Sequence, residues 1–242
     1  MFKNQRLDEI LTLLQQRRYI TVAELADTLY ASPATIRRDI ALLEKSKLIV
    51  RSYGGISLSG GHNQFIELEQ RTEHNRAEKL QIARAAAALV SPGEALFMDA
   101  SSTVISMIPF LDQKDLTVIT NSLRVAEQMG SRGARVFCTG GQLQENSKSF
   151  CGSIAERTIR SFHADKLFFS AAGVSRDGVI SDFYEDDIVL RQTMIACSSE
   201  QYFLCDSSKY DQNYLFRICH AQSLTGVISD TELHFDSPAP SA

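Results

Sequence analysis

Ser32-Pro33-Ala34-Thr35-Ile36-Arg37-Arg38-Asp39 is the stretch whose reading decides the fold of the first part of the chain. Serine caps the unpaired N–H groups that open a helix, and proline fits the first helical turn. Ile36, Ile40 and Leu43 follow at spacings of four and three, which puts them on one buried face. Arg38 then points away from that face, with Thr35 and Arg37 on its flanks. A short capped helix with two arginines in its second turn suits the major groove of DNA. The stretch reads as a recognition helix.

Its surroundings supply a scaffold. Upstream, Leu7, Ile10, Leu11 and Leu14 form an apolar stripe on a first helix that ends near Arg17-Arg18. Thr21 caps a second helix whose Val22, Leu25, Ala26 and Leu29 face inward, and Tyr30-Ala31 is the turn into Ser32. Two helices joined in this way match a helix-turn-helix. Downstream, Leu48-Ile49-Val50 and Ile56-Ser57-Leu58 flank Gly54-Gly55 as a small hairpin, a wing with Arg51 and Tyr53 near its tip. The candidate DNA-binding residues are therefore Ser32, Thr35, Arg37, Arg38, Arg51 and Tyr53. Three-helix units of this size also dock proteins, and charge separates the two readings. Residues 1–55 hold 9 Lys and Arg against 6 Asp and Glu, whereas the remainder holds 16 against 23. A basic unit on an acidic body fits double-stranded DNA bound at one end.

The whole chain has 242 residues, 44% hydrophobic and 22% charged, which leaves room for a second, larger domain of ordinary globular composition. No basic-then-apolar leader opens it, and the longest apolar run, Ala85 to Val90, is far too short to span a bilayer. A cytoplasmic protein without a membrane partner is expected. The five cysteines include no C-x-x-C pair, so buried reduced thiols are expected; the five histidines have no ligand spacing, so no metal is expected. The organisation reads as a winged helix-turn-helix over 1–58, a linker over 59–70 around Gly60-Gly61, a larger domain over 71–235 and a tail over 236–242.

In the larger domain, Arg71 to Val90 has helical spacing and stops at Ser91-Pro92-Gly93. Strands and helices then alternate: strands at 95–98, 116–119, 136–138, 166–170, 202–205 and 226–228, with helices over 102–111 and 122–129. This rhythm predicts an α/β fold with a mostly parallel sheet covered by helices. Ligands of such sheets lie at the carboxyl ends of the strands. Four turns at those ends are small and polar: Asp99-Ala100-Ser101-Ser102-Thr103, Thr120-Asn121-Ser122, Thr139-Gly140-Gly141 and Asp206-Ser207-Ser208-Lys209. Any one of them is an ordinary helix cap. Together they suit an anionic ligand, held by N–H groups at a helix start and by the Lys209 cation.

The runs Thr21-Val22-Ala23-Glu24-Leu25-Ala26, Ser32 to Ile40 and Arg51-Ser52-Tyr53-Gly54-Gly55 resemble the DNA-binding region of DeoR-type transcriptional regulators. Ser52 and Tyr53 depart from the Thr-His usual in that wing. The resemblance continues over residues 3 to 230, through Glu78-Lys79, the Asp99 turn, Thr120-Asn121-Ser122 and Asp206 to Lys209. Ser101-Ser102 replaces the usual Gly-Thr. The resemblance implies a sensor domain similar to ribose-5-phosphate isomerase, with no cofactor and a phosphorylated sugar or polyol as effector. It places Asp99, Ser101, Ser102 and Thr103 against that ligand, with Lys79, Asn121, Gly140, Gly141 and Lys209 around it. Asp187 and Arg191 match an acidic-basic pair before Met194.

The rival reading is a sugar-phosphate isomerase with an appended helical unit. Isomerisation needs a base over a carbon-bound proton. The isomerases resemble Asp-Gly-Ala-Asp-Glu where this chain has Ala171-Ala172-Gly173-Val174-Ser175, which offers no acid. The expectation is therefore a regulator with no catalytic residues. It would be a homo-oligomer, dimer or tetramer, repressing a carbohydrate or polyol operon until a phosphorylated sugar releases it from its operator DNA.

Overall fold

The computed structural model describes residues 3–16, 20–45, 49–52, 55–58, 68–112, 115–145, 147–182 and 184–236. The chain divides into two units, residues 1–65 and 66–242.

In the first unit, α1 (Lys3–Gln16), β1 (Ile20–Thr21), α2 (Val22–Thr28) and α3 (Pro33–Lys45) precede the antiparallel wing strands β2 (Ile49–Ser52) and β3 (Gly55–Leu58). Thr21 caps α2 through a closed capping box: its hydroxyl accepts the Glu24 N–H at 3.2 Å, while the Glu24 carboxylate accepts the Thr21 N–H at 2.8 Å. The core holds the expected Ile10, Leu14, Leu25, Ile36, Ile40 and Leu43, and adds Ile49 and Ile56 from the wing. β1 extends the wing by pairing with β3, so that Ile20 faces Ile56. A two-residue strand gives no periodicity to read, and its pairing is set by the packing of Ile20 and Ile56.

The second unit opens with α4 (Leu68–Glu73) and α5 (Arg76–Ala87). Residues 68–70, read above as linker, are thus helical, and Leu68 is buried. The single expected helix is broken at Asn75, whose φ is +51°. Next come β4 (Ala95–Met98), α6 (Ser102–Ile105), β5 (Thr117–Thr120), α7 (Leu123–Ser131) and β6 (Arg135–Cys138). α6 is shorter than read and gives way to a 3-10 turn, Ile108–Phe110, because Pro109 has no N–H to continue the ladder. After them lie β7 (Gln142–Gln144), β8 (Ser149–Cys151), α8 (Ser153–Arg160), β9 (Ala164–Phe169), β10 (Gly173–Val174), β11 (Val179–Asp182), α9 (Glu185–Ala196), β12 (Ser198–Cys205), β13 (Phe216–His220) and β14 (Gly226–Ser229).

Six of these strands form one parallel sheet in the order β14-β12-β9-β4-β5-β6. Both of its faces are covered, which is why its inner strands carry consecutive apolar residues, Leu96-Phe97-Met98, Val118-Ile119, Leu167-Phe168-Phe169 and Phe203-Leu204-Cys205, rather than alternating ones. Leu96, Met98, Phe168 and Leu204 pack under α5, α6 and α7; Phe97, Leu167, Phe169 and Phe203 pack under α8 and α9. The buried rings of Phe97, Phe168, Phe169 and Phe203 contribute about 1.5–3 kcal/mol each. The hairpin β7–β8 and the antiparallel sheet β10-β11-β13 flank this core. No described helix is long and apolar enough to cross a membrane. The cysteines are free, yet Cys138 is exposed rather than buried, because it ends the edge strand β6.

Candidate functional site

The recognition helix is built as its sequence directs. The Ser32 hydroxyl accepts the Thr35 N–H at 3.2 Å and lies 2.9 Å from the Thr35 hydroxyl. Ile36, Ile40 and Leu43 are buried, while Pro33, Ala34, Arg37 and Arg38 are exposed. Asp39 lies on the buried flank, where Arg6 of α1 grips it by two bonds, Nε to Oδ2 at 2.6 Å and Nη2 to Oδ1 at 3.3 Å. The two arginines are thus presented on a helix whose buried acid, Asp39, is neutralised from behind. Arg51 lies in β2, paired with Ile56. Tyr53 falls outside the described residues.

The second site lies at the carboxyl ends of β4, β5, β9 and β12. Asp99, directly after β4, is its centre. One of its oxygens accepts the Ser101 N–H at 2.9 Å, and the other accepts the Ser170 N–H at 3.2 Å and Arg191 Nε at 3.1 Å. Arg191, on α9, donates its second arm to Asp182 at 2.8 Å. Burial alone would lower the Arg191 pKa, but Asp182, Asp99 and Asp187 together raise it. Asp187 lines the same cleft, one turn before Arg191. Burial raises its pKa, Asp182 and Asp99 add to the rise, and Arg191 and Arg71 oppose it. Burial likewise pushes the Tyr184 hydroxyl up to about 12.

Arg71 of α4 and Asn121 both line the cleft. Each carries a buried polar atom without a hydrogen-bond partner among the described residues, Arg71 Nε and Asn121 Oδ1. A third is the Thr103 hydroxyl, in the first turn of α6. Buried polar atoms are normally satisfied, so a donor and an acceptor left open in one cleft need a partner. The free space is about 20 Å³, room for roughly one water. A larger ligand must displace side chains to enter.

Other residues expected at this site serve nearby. Lys209 donates to the Ser170 hydroxyl at 2.8 Å and faces Asp206 at 3.9 Å, so it touches Asp99 only through Ser170. Asp206 accepts from Asn75 at 3.0 Å; burial would raise its pKa, but Lys209 and the hydrogen bonds from Ser208 and Asn75 lower it. The Lys79 ammonium turns to the carbonyls of Arg71 and His74 and closes the end of α4. Burial lowers it to about 8, with Lys209 adding. Ser101 spends its hydroxyl on the Val104 N–H at 3.3 Å, and Ser102 is buried beside it. Gly140 (φ +62°) and Gly141 (φ +109°) turn the chain into β7 and do not line the cleft. A Cβ on Gly141 would sit 2.5 Å from the Cys151 carbonyl, so its glycine is a packing requirement.

Both units match known families. Residues 6–59 match the DeoR-like helix-turn-helix domain, and residues 74–231 match the DeoR C terminal sensor domain. The chain belongs to the DeoR family of transcriptional regulators. It is 34% identical to the HTH-type transcriptional regulator YulB of Bacillus subtilis strain 168, over 96% of this chain and 91% of the relative. It is 31% identical to the lactose phosphotransferase system repressor of Staphylococcus aureus strain N315, over 96% and 94%. Among solved structures, ribose 5-phosphate isomerase A of Methanocaldococcus jannaschii matches with a TM-score of 0.43 and 16% identity, over 56% of this chain and 55% of that one. The DeoR-family chain is a DNA-binding regulator rather than an enzyme.

Its recognition helix makes one prediction immediate. Arg38→Ala should leave the fold intact, because the side chain is exposed, and should weaken operator binding by about 1–3 kcal/mol per half-site. A mobility shift at wild-type protein concentration, on protein with a normal circular-dichroism spectrum, would refute a base-reading role for Arg38.

Proposed function

We propose that this regulator represses a carbohydrate or polyol catabolic operon and that a phosphorylated sugar or polyol releases it from operator DNA. The observation that carries the reading is the pair of open buried atoms in the Asp99 cleft. Arg71 Nε calls for an anionic acceptor and Asn121 Oδ1 for a hydroxyl donor. A sugar phosphate brings both groups on one small molecule. The named role of the staphylococcal relative, repression of a lactose phosphotransferase system, supports the same ligand class.

The mechanism follows from the closed state of the cleft. With room for roughly one water, ligand entry requires Arg71 or its neighbours to move, and Arg71 lies on α4, the first helix of its unit. Release then requires only that the ligand prefer the arrangement that binds DNA less well. We infer a cytoplasmic homo-oligomer, since weak half-sites are read in pairs by symmetric assemblies.

A thermal-shift panel of pentose, hexose and polyol phosphates tests the ligand class, and stabilisation by none of them would end this reading. For whichever compound stabilises the protein, Arg71→Gln should weaken binding tenfold to hundredfold, the worth of one charge-assisted contact of about 1.5–3 kcal/mol. The variant should hold operator DNA at ligand concentrations that release the wild type. An unchanged release midpoint would remove Arg71 from the site.

A further inference from the structure

Tyr30 joins α2 to the recognition helix in a left-handed conformation, φ +48°. Its N–H reaches the Asp27 carbonyl at 3.4 Å, and the Ala31 N–H donates to the Ala26 carbonyl at 3.0 Å. This is the reversal that ends many helices, and glycine or asparagine usually occupies it because a Cβ crowds the following carbonyl oxygen. A tyrosine therefore weakens the turn it sits in. Nor does its ring repay that by packing, since the residue is 97% exposed. Neither backbone preference nor the core of this unit accounts for an aromatic residue here.

The position accounts for it. Tyr30 stands two residues before Ser32, the cap of α3, at the end of the helix that presents the exposed Pro33, Ala34, Arg37 and Arg38. A phenol carries a neutral O–H donor on a rigid arm, one of the groups that commonly hold phosphate oxygens. We propose that Tyr30 is a DNA-backbone contact, its hydroxyl donating to a phosphate beside the half-site that the recognition helix reads. Such a contact fixes the register of α3 on the duplex and carries no sequence information of its own.

The test uses the full chain with two duplexes: one selected from a random pool by the wild-type protein, and a scrambled duplex of equal length. Tyr30→Phe keeps the ring and removes only the hydroxyl. It should weaken both duplexes by the same factor, roughly twofold to tenfold per half-site. The salt dependence should stay unchanged, since no charge is lost, whereas Arg38→Ala lowers the slope. Tyr30→Gly should raise the melting temperature of the amino-terminal unit by relieving the left-handed strain, and should weaken DNA binding at least as much as Tyr30→Phe does. Wild-type affinity of Tyr30→Phe for both duplexes would overturn the proposal. Loss on the selected duplex alone would also overturn it, by moving the hydroxyl to a base edge. A Tyr30→Gly protein that melts no higher than wild type would overturn the claim that the contact is held at a cost to the fold.

Discussion

Arg6→Ala is expected to unfold the DNA-binding unit while the sensor unit melts as in the wild type. The Asp39 side chain is 3% exposed and that of Arg6 13%, so the pair is held largely away from water. Removing the guanidinium strands a carboxylate in the core of α1 and α3, at a cost of about 3–5 kcal/mol. A unit of 65 residues has a total stability of only about 3–10 kcal/mol, at roughly 0.05–0.15 kcal/mol per residue. The loss is therefore comparable to the whole, and the melting temperature of the unit should fall by more than about 12 °C. Asp39→Ala should cost less, because the Arg6 side chain lies nearer the surface than that of Asp39 and can gain water. Replacing both by leucine should recover most of the loss, since the desolvation penalty disappears with the charges. Calorimetry on the intact chain, resolving its two transitions, decides the matter. An Arg6→Ala protein whose first transition stays within a few degrees of the wild type would show that the buried pair contributes little.

That pair also marks the limit of what the sequence discloses. Thr35, Ile36, Arg37 and Arg38 are legible because capping and helical period act within a few residues. Asp39 reads as one more exposed acid beside two arginines; its partner is 33 positions away, and only the packing of α1 on α3 brings them together. The sensor unit repeats the contrast. Its inner strands are legible by the short apolar runs within them, and the Asp99 and Asn121 turns as polar ends to those runs. Arg71, counted as the start of an ordinary helix, becomes a wall of the cleft only through the docking of α4. Lys79 errs in the opposite direction. Its residue type suggests a ligand for phosphate, but the carbonyls of Arg71 and His74, eight and five positions upstream, accept its hydrogen bonds first. The strands β7, β8 and β10 have three, three and two residues, too few for a period-two signal, and β11 and β13 are joined by a non-local pairing.

The Asp99 cleft supplies the other large effect, Arg191→Leu. Arg191 is the only side chain that bonds both Asp99 and Asp182 among the described residues, with its own side chain 11% exposed and theirs 2% and 11%. Without it, Asp99 and Asp187 line a nearly dry cleft, with Asp182 close to Asp187, and the remaining lining cation is Arg71. Breaking a buried pair costs about 3–5 kcal/mol, which in a unit of this size lowers the melting temperature by roughly 6–20 °C. The sign of the pH dependence follows. Burial already raises the Asp187 pKa against the pull of Arg191, and without that counter-charge it rises further, so the folded variant takes up a proton before the unfolded chain does. Its deficit relative to the wild type should therefore narrow as pH falls toward the ordinary carboxylate range and be widest near neutrality. Arg191→Lys keeps the charge but cannot span two carboxylates, so it should fall between the two. Parallel melts of the three proteins between pH 5 and 8, on the order of one unit apart, read all of this. A deficit that is flat across that range would mean that Asp187 is already protonated or solvated, and Arg191 would then be a packing residue rather than the counter-ion that keeps the cleft closed.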